Sequence, residues 1–431
     1  MSILKKKKQN RVCVIGLDGV PFDLLLDLAK KGVLSALGRI IDSGHLHKMK
    51  ASLPEVSAVS WTDFMTGTNS GTHGIFGFTD LKPGTYDLRF PNFLDVKVPT
   101  LWDTLGEKGL KSIIINQPST YPARKLNGVL LSGFVAVELG KAVYPPSHKA
   151  ALEQMGYQID IDTLKSRENS GLLWQELIKT LMGRQRALNY FWEEEWNYFE
   201  LVITGTDRLH HYLWNAYENP DHPHHQNFLE FYRQIDRLIN KIYTAFKKNS
   251  GDEENFFLLS DHGFTGIKQE VYLNAWLEKE KFLKYSNSVP KGLEDLHPKT
   301  VAFALDPNRI YLNYKDKYPQ GSVRHAEAKT IRDEIIRKLD KLEFEGQKVV
   351  RKVFLAKDIY CGPYVSKGPD LIVLGEPGFD MKGSVKKKEI FGRTPGFQGM
   401  HTWDDAFFLA KNNFGDNLKI SDLSEIIMDR F

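Results

Sequence analysis

An α/β fold, doubly wound around a mostly parallel central sheet with helices on both faces, is the class this sequence predicts. Three observations carry that prediction. Short β-branched apolar runs alternate with helical patterns, the form of a parallel sheet buried on both faces. The alternation continues along the chain, which favours a doubly wound sheet over separate α and β halves. Finally, three of the runs end alike in an aspartate, and the carboxyl ends of parallel strands line the ligand crevice of such a sheet.

The elements follow in order. Strands are expected at 11–17, 112–116, 128–131, 200–204, 256–260, 370–374 and 406–410, each a short apolar run bounded by turn residues. Helical patterns fall at 21–31, 34–42, 101–108, 171–198 and 226–248. Residues 80–99 are polar and punctuated by Pro and Gly, a loop. The mostly helical stretch 143–196 is expected to cover one edge as a cap. Within 301–360, a strand at 308–314, an amphipathic helix at 326–342 and a strand at 349–354 make a small α+β unit. The organisation expected is therefore one α/β domain over 9–431 that carries a helical cap insertion at 143–196 and a small α+β insertion at 301–360.

Composition narrows the function classes. Of 431 residues, 42% are hydrophobic, 26% charged and 12% aromatic, which excludes disordered, collagen-like and coiled-coil chains. A net charge of +4 is too small to argue for a nucleic-acid polymer as partner. The lysine runs at 5–8 and 386–388 read as a solvated tail and a solvated loop. Two cysteines, Cys13 and Cys361, make neither a disulfide framework nor a cysteine-rich zinc site. A metal site would have to be built from carboxylates and some of the 13 histidines. The apolar segment at 12–17 stops at Asp18, too short for a signal peptide, and no run of about 18 apolar residues suggests a membrane span, so a cytoplasmic location is expected.

The chemistry sits at the strand ends. One run leads into Asp18-Gly19, a second into Asp207, a third into Asp261-His262-Gly263. Convergent carboxylates repel unless cations hold them together. Asp207 and His211 stand four apart, so on a helix both face one way and can grip one ion, with His210 leaving that register open by one position. Asp261 and His262, adjacent on a turn, reach toward a second ion, and His401 directly precedes the last strand. Such nitrogen and oxygen donors suit two divalent cations, Zn²⁺ or Mn²⁺. A single Asp-Gly after a strand is most often only a turn. Recurrence at three strand ends lifts the pattern above that, whereas His222, His224 and His225 read as a solvated loop.

A two-metal site also needs a nucleophile. Residues 53–67 pass from an extended, Pro-containing stretch into a helical pattern, offering hydroxyls at a helix N-terminus, where free N–H groups and the helix dipole favour a phosphate. Plain N-capping by Ser57 or Ser60 is the alternative there.

In this order the motifs resemble the alkaline phosphatase superfamily, and within it the type I phosphodiesterase/nucleotide pyrophosphatase-like branch. The likeness runs through 16–19, 53–67 with its continuation 69–76, 206–212, 260–263 and 399–401, and touches 308–313 and 368–372. Residues 80–198 and 268–299 carry little of it. The resemblance implies an alkaline phosphatase-like fold, with Asp207, His211 and His401 on one metal and Asp18, Asp261 and His262 on the other. Ser57 completes the second set and is the implied nucleophile; His73 is read as structural support. Zn²⁺ is the implied metal, with Mn²⁺ as alternative, and a small phosphate ester the substrate.

The chain departs from the pattern in three places. Nucleotide pyrophosphatases carry an aromatic residue and an Asn where Ala58 and Ser60 stand, so Ser60 is the expected substrate-binding residue in the place of Asn. After His401 comes Thr402-Trp403-Asp404-Asp405 where relatives have a Pro-Asp-Gly turn. The sulfatase signature is absent around Ser57. The expected function is metal-dependent phosphodiester hydrolysis through a phosphoseryl intermediate. A phosphomonoesterase or phosphomutase is the alternative within the superfamily, with Arg208, Arg393 or the lysines at 386–388 supplying the extra positive charge a monoester needs. A non-catalytic, metal-stabilised binding protein is the alternative outside it.

Overall fold

The computed structural model describes residues 10–250 and 252–431, so the lysine run at 5–8 lies outside the described residues. The strand Val12–Leu17 sets the architecture. All six of its residues are buried, and alternate side chains leave a strand on opposite faces. Cys13, Ile15 and Leu17 accordingly enter one core, Val12 and Val14 another.

A strand buried on both faces belongs mid-sheet. The main sheet has eight strands, in the order His45–Met49, Ala406–Ala410, Phe256–Leu259, Val12–Leu17, Tyr198–Ile203, Ser112–Gln117, Gly128–Ser132 and Val143–Tyr144. Those from Phe256–Leu259 to Gly128–Ser132 are parallel to one another. Helices cover both faces: Phe22–Lys30, Ser35–Asp42, Ser170–Trp192, Gly205–Glu218 and His225–Ser250 around the first core, and Ser57–Thr66, Leu101–Glu107 and Asp422–Met428 around the second. Within 143–196, the helix Ser170–Trp192 lays Leu173, Leu177, Ala187 and Phe191 into the first core, against the sheet. This is the doubly wound fold expected.

Several expectations need correction. The run at 370–374 does not join the parallel sheet: Leu371–Gly375 lies in a separate antiparallel sheet, in the order Ala302–Leu305, Arg309–Leu312, Leu371–Gly375, Val350–Leu355. That sheet and the helix His325–Leu339 enclose a core of their own, so the small α+β unit draws a strand from beyond residue 360. An apolar run records that it is buried, not which sheet buries it. Ala406–Ala410 does join the main sheet, but antiparallel to both neighbours. The helix expected over 171–198 ends at Trp192, and the chain re-enters the sheet at Tyr198.

Register decides where the site forms. Gly16 pairs with both Val202 and Leu259, so three adjacent strands leave the sheet at one level and the turns bearing Asp18, Asp207 and Asp261 emerge together. Gly16 also lets an aromatic approach: a β-carbon there would lie 2.5 Å from the indole of Trp61. Gly19 turns the chain with φ of +65°, which glycine adopts without strain.

Candidate metal centre

Asp207 and His211 occupy one face of the helix Gly205–Glu218, as their spacing predicts. His401 arrives on the strand Gly399–Thr402, which pairs antiparallel with Gly263–Gly266 and so lies beside His262. The imidazoles of His262 and His401 stack with centroids 3.6 Å apart.

In the first group, His401 Nε2 lies 3.2 Å from Asp207 Oδ1 and 3.0 Å from His211 Nε2, and His211 Nε2 lies 3.4 Å from the same Asp207 oxygen. The other ring nitrogens fix the tautomers. His401 Nδ1 donates to the Glu55 carbonyl at 2.9 Å, and His211 Nδ1 to the Gly399 carbonyl at 3.2 Å. A carbonyl only accepts, so each neutral ring presents an Nε2 lone pair to its neighbour. Two lone pairs and a carboxylate oxygen converging on one point form a donor set for a cation.

The second group is built likewise. His262 Nδ1 donates to the Gly263 carbonyl at 3.0 Å, freeing Nε2, which lies 3.3 Å from Asp261 Oδ2 and 3.8 Å from Asp18 Oδ1. Asp261 Oδ1 accepts the Gly19 amide at 3.0 Å, and its Oδ2 is buried with no hydrogen-bond partner. Trp61 Nε1 donates to Asp18 Oδ2 at 3.1 Å, leaving Oδ1 for the site. Ser57, at the start of the helix Ser57–Thr66, sets its Oγ 3.3 Å from Asp18 Oδ1 and 3.1 Å from His262 Nε2. Each group could hold a metal ion, its ligand atoms all within 4.8 Å of one another. The orphaned Asp261 oxygen and the paired lone pairs fit such a role.

Electrostatics agree with the donor geometry. Burial, then the charges of Asp261 and Asp207, push the Asp18 carboxyl well above its ordinary range. Burial pushes Asp261 up to about 7. Burial also pulls His211 down to about 3 and His262 well below its usual value. Asp18 and Asp261, which resist ionising, and His211 and His262, which resist protonation, are stabilised together by a divalent cation, which favours carboxylate and neutral imidazole alike, whereas the pairing of Asp207 with His401 lowers the first and raises the second.

His211 and His401 also line a cavity of about 460 Å³, together with Glu55, Asn308, Lys382 and Lys387. Of the expected residues, Ser57, Asp18, Asp207, His211, Asp261, His262 and His401 come together. Ser60, expected to bind substrate, is fully buried, and its hydroxyl accepts the Ser52 amide. His210 is no ligand in this geometry, since its Nδ1 donates to the Gly19 carbonyl and its Nε2 accepts from the Tyr232 hydroxyl. His73 supports the Ser57 helix, with Nε2 2.6 Å from Asp63 and Nδ1 accepting the Ile75 amide.

Sequence reasoning missed the supporting residues. Trp61 orients Asp18, the Glu55 carbonyl orients His401, and Asn308 Nδ2 holds both Glu55 carboxylate oxygens at 3.1 and 3.0 Å. Glu55 and Trp61 stood within the 53–67 motif and could have been flagged; Asn308, 253 residues from Glu55, stood in the 308–313 stretch that the likeness touches, but nothing tied it to Glu55. Arg208, expected near substrate oxygens, instead binds Asp207 Oδ2 at 2.9 Å and Asp160 at 2.7 Å.

The sequence model of the type I phosphodiesterase / nucleotide pyrophosphatase family matches residues 12–404. A search of curated proteins found no match. Among solved structures, phosphonoacetate hydrolase from Sinorhizobium meliloti in complex with phosphonoacetate is similar with a TM-score of 0.65 at 15% identity, over 98% of this chain and 96% of that one. Murine ectonucleotide pyrophosphatase / phosphodiesterase 5 gives 0.55 at 13% identity, over 97% and 94% of the two chains. The alkaline phosphatase PafA gives 0.59 at 12% identity, over 98% and 96%. At such identities, the shared property is the fold. Among the described residues, no helix is long and apolar enough to cross a membrane.

Proposed function

The chain belongs to the type I phosphodiesterase / nucleotide pyrophosphatase family and is a phosphate-ester hydrolase, and on that footing we propose that it cleaves small-molecule phosphodiesters with Ser57 as nucleophile at a centre for two divalent cations. Asp207, His211 and His401 would hold one cation; Asp18, Asp261 and His262, with Ser57, would hold the other. Zn²⁺ suits this donor set, with Mn²⁺ as the alternative. Bound there, the cations would supply Lewis acidity, favouring the serine alkoxide and neutralising charge on the leaving oxygen. The observation that carries the reading is the convergence of lone pairs: the facing Nε2 atoms of His211 and His401, 3.0 Å apart, and the orphaned, buried Asp261 Oδ2.

The chain's own groups position the reaction. Asp18 Oδ1 and His262 Nε2 both face Ser57 Oγ and hold it beside the second ligand group. Ser57 Oγ attacks phosphorus, so that an Oγ–P bond forms as the P–O bond to one ester group breaks and that group leaves as the alcohol with the serine proton; water then cleaves the Oγ–P bond of the seryl phosphodiester that remains, releasing a phosphomonoester and restoring Ser57. The first turn of the Ser57 helix supplies backbone N–H groups toward the phosphoryl oxygens. The leaving group would occupy the cavity beside His211 and His401.

The family match favours a diester, and the two arginines suited to the extra charge of a monoester are committed elsewhere, which leaves Lys387, on the cavity beside His211 and His401, as the cation a monoester would use. Arg208 is clamped between Asp160 and Asp207, and Arg393 donates to the Ile267 and Phe397 carbonyls. The test is Ser57→Ala, assayed on bis-aryl and mono-aryl phosphates with elemental analysis of the protein. The expected result is loss of turnover with metal content kept, and in the wild type faster hydrolysis of the diester. Full activity in the variant overturns Ser57 as nucleophile, and faster hydrolysis of the monoester overturns the substrate class.

A further inference from the structure

A cavity of about 670 Å³ lies against the smaller antiparallel sheet and shares no lining residue with the cavity beside His211 and His401. Its volume is that of a small-molecule site, about 300–1,000 Å³. Tyr311, Tyr314 and Tyr318 form one wall, and each is braced from behind or beside. Tyr311 stacks on Phe303 and Tyr318 on Tyr86, both with centroids within 6 Å, and Tyr314 stacks on His325 at 4.7 Å. Side chains already held in this way lose little freedom when a ligand arrives.

The charges around the wall are unevenly matched. Its three carboxylates each have a partner in the same wall: Asp80 with Arg89, Asp316 with His325, Asp370 with Arg332. Among the described residues, no carboxylate lies within ion-pair distance of Lys317, Lys357 or Lys367, which also line the cavity. Lys317 is the inward one. Its Nζ donates to the Ser366 carbonyl at 2.9 Å and stands 5.8 and 5.4 Å from the ring centres of Tyr311 and Tyr318. An ammonium has three N–H donors, and among the described residues this one spends a single donor on the protein. Burial disfavours its charge, and the nearby Asp370, Asp80 and Asp316 offset this only in part. A cation with spare donors over aromatic rings is a receptor for an anion that carries an apolar body.

We propose that this cavity binds a small organic anion bearing an aromatic ring, its anionic group on Lys317 and its ring along the tyrosine wall. The site is separate from the one proposed to hydrolyse phosphate esters and does not depend on that reading. The probe is naphthalene sulfonate, which the enzyme cannot hydrolyse, titrated by fluorescence into the full-length protein, with naphthalene methanol as the neutral counterpart. Saturable binding is expected for the sulfonate, weakened about tenfold or more by Lys317→Met. Hydrolysis of the bis-aryl phosphate should be unchanged in that variant. A second variant guards against misfolding: Lys357→Glu with Lys367→Glu alters only exposed side chains and should weaken binding severalfold. Equal affinity for the neutral probe, wild-type affinity in both variants, or strictly competitive inhibition of ester hydrolysis by the sulfonate would each overturn the proposal.

Discussion

Asp207 gives its two oxygens different tasks. Oδ1 faces His211 and His401, while Oδ2 takes the guanidinium of Arg208, which also grips Asp160 and lies over the ring of Phe134. Burial opposes ionisation here, yet His211, the hydrogen bond from His401 and the charge of Arg208 hold this carboxyl well below its usual range. Arg208 is thus a positioning residue that keeps a ligand oxygen charged and aimed. Arg208→Gln should lower metal affinity and kcat/KM together, by roughly 10–100-fold, as loss of a group orienting a ligand does. Arg208→Lys should recover only part of this, because a point charge cannot bridge two carboxylates as a planar fork does. Metal titration of both variants, with circular dichroism to check the fold, decides it; wild-type affinity in Arg208→Gln would remove Arg208 from the centre. At this scale the sequence exposed the groups that end strands or repeat a spacing, such as Asp18, Asp207 and Asp261. It hid Arg208's true partner, because Asp160 lies 48 residues upstream in a segment with no motif.

The strand Tyr198–Ile203 was legible because both its faces are buried, and it carries a cost that only the structure reveals. Glu200 lies fully enclosed in mid-strand, with one oxygen accepting the Tyr198 hydroxyl at 2.6 Å and the other without a partner. Burial pushes its pKa up to about 8 from an ordinary 4.5. The folded state therefore binds this proton more tightly than the unfolded chain between those values, so stability falls as pH rises through that window, by about 1.4 kcal/mol per unit at most. Above about pH 8 the loss is complete. Glu200→Gln removes the ionisation: it should be near neutral at pH 5 and raise stability at pH 9, by up to a few kcal/mol. Denaturant unfolding at the two pH values reads the difference, and an equal effect at both would refute it. Other elements were less legible for physical reasons. His45–Met49 is an edge strand in which two histidines and a lysine are interspersed with Leu46 and Met49, so no apolar run marked it. Leu371–Gly375 is as apolar as any strand of the main sheet, yet it pairs in the smaller one.

Across the whole molecule, the proposed ligands come from positions 18 to 401, and three adjacent strands, two helices and a two-stranded ribbon meet there. Metal binding should therefore be linked to global stability. A ligand that binds only the folded state stabilises it by RT ln(1 + [L]/Kd), about 4 kcal/mol per site at a thousandfold excess over Kd. Chelation should lower Tm, and Zn²⁺ or Mn²⁺ should restore it. Asp261→Asn separates this linkage from nonspecific salt effects because it acts with opposite signs in the two conditions. In chelated protein it removes a buried carboxylate whose charge raises the pKa of Asp18, so the variant should be more stable than the wild type. With metal present it lacks a ligand, so most of the metal-induced gain should vanish. Differential scanning calorimetry of both proteins, with chelator and with metal, gives four Tm values. Wild-type Tm values that do not change with metal would contradict the linkage, and an Asp261→Asn protein that gains as much from metal as the wild type would exclude Asp261 as a ligand.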